Sequence, residues 1–171
     1  MMHARWIMTT LLATHAFMVY AGSQQWLTQM IVEHERTIQQ KNRVEESQNQ
    51  NNDFFSQHGL ILFYASSCPH CHQFAPVLKS WADRSKAEVL ALSFDNKPLP
   101  EFPQFLPATT QWLNDAFQGA SIQYPALFVV NPKTKVLYPV GYGSMTSEEL
   151  SSRIEILIPK IASYEQRGMS L

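Results

Sequence analysis

Two cysteines stand three positions apart in Cys68-Pro69-His70-Cys71, directly after the apolar run Leu60-Ile61-Leu62-Phe63-Tyr64-Ala65. A short apolar run of this kind reads as a buried strand, and Pro69 suits the first turn of a helix, where its missing N–H leaves no bond unmade. The pair therefore sits where a strand hands over to a helix. A thiol at such a helix start faces unpaired backbone N–H groups and the positive end of the helix dipole, which favour the thiolate nucleophile. The second thiol, one turn on, can attack the mixed disulfide that the first one forms. This pattern predicts Cys68 as the exposed attacking thiol. Cys71 shares a helix face with Phe74, Leu78 and Trp81, which predicts a buried resolving thiol. A purely structural bridge between them would close a tiny loop and stabilise little, because the entropic gain grows with loop length.

The rest of the composition narrows the classes. With 45% hydrophobic residues the 171-residue chain can bury a real core, and a net charge of −1 without any long basic run gives nucleic acid binding no electrostatic basis. Residues 1–23 read as an export signal: Arg5 with His3, an apolar stretch from Trp6 to Tyr20, then Ala21-Gly22-Ser23, with cleavage expected near Ala21 or Ser23. The alternative is an uncleaved anchor, but the stretch is interrupted by Thr9, Thr10, Thr14 and His15 and falls short of the roughly 20 apolar residues a span needs. Export places the cysteines in an oxidising space.

Residues 24–53 form a helical, polar N-terminal segment. Leu27, Ile31, His34 and Ile38 fall at helix spacing, and from Gln39 to Asp53 the Gln, Asn, Glu and Ser content reads as a solvated helix end or linker. The segment is expected to serve as a spacer, as a first helix packed on the domain, or as a partner or dimer surface over residues 24–45.

Residues 54–171 carry the compact domain. A strand at about 60–66, a helix at about 69–86 and a strand over Glu88–Phe94 make a βαβ unit with parallel strands. Pro98, Pro100, Pro103 and Pro107 keep the next stretch out of helix and central strand. Thr109 or Thr110 caps a short helix closed by Gly119, then Ala126–Val130 and Val136–Val140 form a hairpin. Thr146 and Glu149 form a capping box for a last helix with Leu150, Ile154, Leu157 and Ile161 along one side.

The fold class is thus α/β. The order of elements, with the cysteine pair opening the first helix of the domain, resembles the thioredoxin superfamily over about 59–162. That resemblance implies a central mixed β-sheet flanked by helices, with the N-terminal helical extension added. Within it Pro69-His70 is similar to the dipeptide of DsbA-type oxidases, Pro76 matches a helix-kinking proline, Tyr124-Pro125 matches a cis-proline beside the site, and Gly141 matches a glycine of the last strand. Asp95, Phe102-Pro103 and Leu106-Pro107-Ala108-Thr109, with the export signal and Gln-rich segment, look like the TrbB-type thiol-disulfide isomerases of F-type conjugative transfer systems. This implies a periplasmic enzyme assisting pilus and secretion-channel assembly. Its partners would be cysteine-containing exported proteins and a membrane redox partner that recycles the pair. The chain departs from the superfamily at Leu62, where many relatives carry a buried acid, and at the bulky Tyr124.

The resemblance gives Tyr124 and Pro125 a substrate-binding role, with Pro69, Pro76 and Gly141 structural near the site. His70 is expected to bond to or place charge beside the Cys68 thiolate, stabilising the reduced form, while His72 is expected to be a solvated helix position. No cofactor is called for beyond the redox-active Cys68–Cys71 pair. Three other readings remain. Cys68–His72 fits the C-x-x-C-H haem attachment pattern, although the strand and βαβ context differ from a haem protein's helical fold. A metal site lacks a second ligand pair. A non-catalytic assembly or chaperone protein would not require the two thiols. Oxidase, reductase and isomerase directions share the same atoms.

Overall fold

In the computed structural model the backbone is described for residues 7–168 and the side chains for 25–168. The chain divides into two compact units, Met1–Glu46 and Ser47–Leu171. The export-signal expectation falls partly on residues 1–6, outside the described residues; from Ile7 the chain is helical, the start of α1 (Ile7–Phe55). Within the first unit Leu27, Ile31 and Ile38 are exposed, as are Trp26 and Met30. Among the described residues no helix is long and apolar enough to cross a membrane.

The second unit starts at Ser47 rather than at Phe54, because the last turns of α1 are tied to it through a few side chains, while Gln48, Asn49, Gln50 and Asp53 stay exposed. Ser47 donates to Glu155 (2.6 Å), the Gln48 amide donates to the Arg84 carbonyl (3.2 Å), Asn51 is buried, and Phe55 meets Trp81 edge-on at 5.5 Å. Glu165 joins the same end of the unit: it accepts from Asn131 (2.9 Å) and Tyr138 (3.2 Å) and pairs with His58 (3.2 Å), whose ring stacks on Phe54 at 4.0 Å.

The sheet runs β3-β2-β1-β4-β5. β1 (Gly59–Tyr64) lies at its centre, parallel to β2 (Val89–Ser93) and antiparallel to β4 (Ala126–Val130). β5 (Leu137–Tyr142) completes the hairpin, with a register shift at Leu127/Phe128. β3 is only Leu106–Pro107, an exposed edge pair that the proline-rich sequence conceals.

Alternation along β1 divides the core into two layers. Leu60, Leu62 and Tyr64 join Phe74, Leu78 and Trp81 of α2 (Pro69–Ser85) and Leu150, Ile154, Ile158 and Ile161 of α4 (Ser147–Gly168). On the other face Ile61 and Phe63 pack with Phe128 and with Phe117 of α3 (Thr110–Phe117). Burial on both faces is why β1 is apolar throughout. Thr109 caps α3, but the left-handed residue that ends it is Gln118 (φ 47°), with Gly119 (φ 83°) continuing the turn. On α4 the Glu149 N–H donates to Thr146 Oγ1 (3.1 Å), while the Glu149 carboxylate pairs with Arg153 (2.8 Å). Ile158 is buried where Leu157 was expected; Leu157 is half-buried.

Candidate active site: a dithiol at the start of α2

β1 ends at Tyr64, and four residues later Cys68 is the N-cap of α2, with extended backbone (φ −88°, ψ 117°). Its sulfur accepts from the Cys71 N–H (3.4 Å), which also donates to the Cys68 carbonyl (3.1 Å). Cys68 is half-buried and Cys71 is buried at 1% exposure, and both are free thiols in this structure. Burial pushes the Cys71 thiol up to about 12, the hydrogen bond with Cys68 adds to this, and the negative charge of Asp95 contributes further. One sulfur is thus half-exposed at the helix start, and the other is held protonated inside the core.

The Tyr124–Pro125 bond is cis, and the Tyr124 carbonyl lies 4.0 Å from Cys68 Sγ. Tyr124 is exposed and Pro125 buried, and it is the Tyr124 backbone that borders the reactive sulfur. The ring also lies 5.3 Å from that of Phe94, which makes an aromatic flank that the sequence reading did not assign to the site. Pro69 occupies the first turn of α2. Pro76 lies inside α2, where the ring removes the bond that the His72 carbonyl would accept. Gly141 is buried in β5, and a Cβ there would come within 2.8 Å of Arg153 Nη1 and 3.1 Å of Met145 Sδ. That close approach serves packing against α4, since Arg153 also donates to the Val140 carbonyl (3.1 Å).

The two histidines differ from expectation. His70 is exposed, and its Nδ1 lies 3.3 Å from Gln73 Oε1, so its recorded partner is on its own helix rather than the Cys68 sulfur. One helical turn joins residues i and i+3, and this local pairing captures the ring. His72 is not merely solvated: its Nε2 lies 2.7 Å from the Ser66 carbonyl, tying the helix to the turn before Cys68. That bond occupies the nitrogen a haem iron would use, within a fold that is α/β. Among the described residues no three His, Cys, Asp or Glu side chains gather as a metal site.

Asp95 is the site residue whose role the sequence reading missed. Tyr64 is registered with Ser93 in the parallel β1–β2 pair, and both strands continue past their ends into turns. Two residues on, Asp95 Oδ2 accepts from the Ser66 N–H (2.9 Å) and the Ser66 hydroxyl (2.6 Å), while Oδ1 accepts from Ser93 Oγ (2.9 Å). The signal available in sequence was the strand register, which sets residues 66 and 95 abreast.

The sheet order, the cysteine pair capping the helix that follows the central strand, and the cis-proline opposite it define a thioredoxin-like fold, the fold of thiol-disulfide oxidoreductases. The chain belongs to the TraF family, described as F plasmid transfer operon protein, whose sequence model matches residues 23–155. It is 28% identical over 99 residues to Protein TrbB of Escherichia coli (strain K12), covering 58% of this chain and 55% of that protein. The chain therefore spans about half the length of that curated relative. Among solved structures it is similar to StoA from Bacillus subtilis (18% identity, 57% of this chain and 82% of that one, TM-score 0.42). It is also similar to a thiol:disulfide interchange protein of the thioredoxin family from Chlorobium tepidum TLS (17%, 61% and 81%, TM-score 0.42).

Proposed function

We propose that this chain is an exported, periplasmic thiol-disulfide oxidoreductase that isomerises disulfides in cysteine-containing exported proteins of a conjugative transfer apparatus. The observation that carries the reading is the asymmetry of the pair: Cys68 is half-exposed on a helix N-terminus beside the Tyr124 carbonyl, whereas Cys71 is buried and pushed up to about 12. A nucleophile that attacks readily and a partner that releases slowly leave a client attached long enough to re-pair its own cysteines. Membership of the TraF family and the relation to TrbB support the conjugative setting, and the family match begins at Ser23, where the export segment ends. In this reading a membrane redox partner keeps the pair reduced. The exposed apolar side chains Trp26, Leu27, Met30 and Ile31 are the surface through which two copies pair over residues 24–45.

The test is reactivation of a small protein carrying scrambled disulfides. Reduced protein is expected to restore native pairing, and Cys68→Ala to abolish it. If the oxidised protein only introduced disulfides into a reduced client and never reshuffled a scrambled one, the Pro69-His70 likeness to oxidases would be the better guide and the isomerase reading would fall.

A further inference from the structure

Ser66 lies in the turn between β1 and Cys68, and all three of its polar groups are engaged. Its N–H (2.9 Å) and hydroxyl (2.6 Å) both donate to Asp95 Oδ2, just past the end of β2. Its carbonyl lies 2.7 Å from Nε2 of His72, near the start of α2. A carbonyl only accepts, so that ring nitrogen carries the hydrogen. The Cys68 N–H closes the turn on the Ala65 carbonyl (3.1 Å), and the Cys68 carbonyl takes the N–H groups of Cys71 (3.1 Å) and His72 (3.3 Å). His72 thus reaches back across the residue that bears the reactive sulfur: its backbone holds Cys68 and its ring holds Ser66. We propose that His72 is a positioning residue for the attack by Cys68, its ring and the Asp95 carboxylate clamping Ser66 between α2 and β2 so that the sulfur keeps one place beside the Tyr124 carbonyl. This rests on the attacking role given to Cys68 above and is independent of the isomerase direction.

The first turn of α2 needs such a tie. Pro76 removes the ladder bond that the His72 carbonyl would accept, so this turn is joined to the rest of the helix by one bond fewer. The attack in turn demands placement. The Cys68 thiolate approaches a client sulfur in line with the client's S–S bond; the Cys68–client disulfide forms, the client bond breaks, and the displaced sulfur leaves as a thiolate. One electron pair enters the new bond from Cys68 and one departs with the leaving sulfur, so no outside oxidant is needed. A client strand docked beside the Tyr124 carbonyl, 4.0 Å from Cys68 Sγ, presents its sulfur at one place. If the Ser66–Cys68 turn wanders, the attacking sulfur spends less time aligned, and a misplacement of about 1 Å costs up to about 100-fold in rate.

Two substitutions separate the bond from the ring's charge. His72→Gln keeps an N–H donor at similar reach and carries no charge, whereas His72→Phe keeps a ring and has no donor. Each is placed in the full-length Cys71→Ala chain, where nothing resolves the adduct, and mixed with oxidised glutathione at neutral pH. Mass spectrometry follows the Cys68–glutathione disulfide against time. His72→Phe is expected to form it about tenfold more slowly than the Cys71→Ala parent, and His72→Gln to stay within about twofold of the parent. An unchanged rate in His72→Phe would overturn the proposal. So would an equal loss in His72→Gln, which would assign the effect to the ring's charge rather than to its bond. A parent chain that forms no adduct at Cys68 would bring down the attacking role itself and the clamp with it. Should His72→Phe fail to fold, nitrogen NMR of the His72 ring in the parent decides. Under alkaline conditions the neutral ring must carry its hydrogen on Nε2, and a hydrogen on Nδ1 would contradict the tie to Ser66. Glutathione needs only a reactive thiol, so this readout stands or fails separately from the scrambled-substrate assay.

Discussion

Asp95 links the acid stability of the protein to the same bonds that hold the Cys68 turn. Its folded-state carboxyl is held below its unfolded value, so the stabilisation is present above about pH 4 and is lost as pH falls through the folded value. Glu165 has the same sign: burial opposes ionisation, but the bonds from Asn131, His58 and Tyr138 prevail and lower it. Urea unfolding between about pH 7 and pH 2 is expected to show wild type losing stability more steeply than Asp95→Asn, so that the gap between them closes on acidification. At this scale the cysteines were legible because the strand, the proline and the helix face are all local signals. Asp95 was not, because residues 66 and 95 meet only through sheet register. The histidine bonds were not legible for a related reason: backbone direction gives His70 a bond to Gln73 and His72 one to Ser66.

Among the elements, β1 is buried along its whole apolar length from Leu60 to Tyr64. Phe63 is fully buried and meets Phe117 at 5.4 Å and Phe128 at 5.7 Å, both edge-on. Phe63→Ala is expected to cost about 3–5 kcal/mol in equilibrium unfolding, since Phe117 and Phe128 cannot close over the space the ring leaves. Leu78→Ala on α2, buried against the opposite face of the sheet, should cost about 2–5 kcal/mol. The helices and long strands were readable because period and capping agree at each. β3 was not, because two residues with a proline carry no period, and only the ladder to Leu92 and Ser93 defines the strand. The end of α1 is exposed over most of its polar residues, as its composition suggests, but Ser47 and Gln48 also bond to Glu155 and Arg84, partners too distant in sequence for composition to show.

The whole molecule consists of a helical unit with exposed apolar residues and a thioredoxin-like unit that holds the site. If residues 24–45 pair two copies, sedimentation equilibrium of the chain from Gln24 onward should give a dimer, and Leu27→Glu with Ile31→Glu a monomer that keeps dithiol activity. A monomer at every concentration for the unsubstituted chain would remove that surface from the account. The division of roles within the site is that Cys68 attacks and Cys71 resolves. It is tested most directly by trapping clients on Cys71→Ala and on Cys68→Ala and mapping the intermolecular disulfides by mass spectrometry. Cys71→Ala should accumulate mixed disulfides, all through Cys68, because nothing inside the site can expel them, while Cys68→Ala should accumulate almost none. Abundant client adducts through Cys71 in the Cys68→Ala protein would contradict the assignment of both thiols.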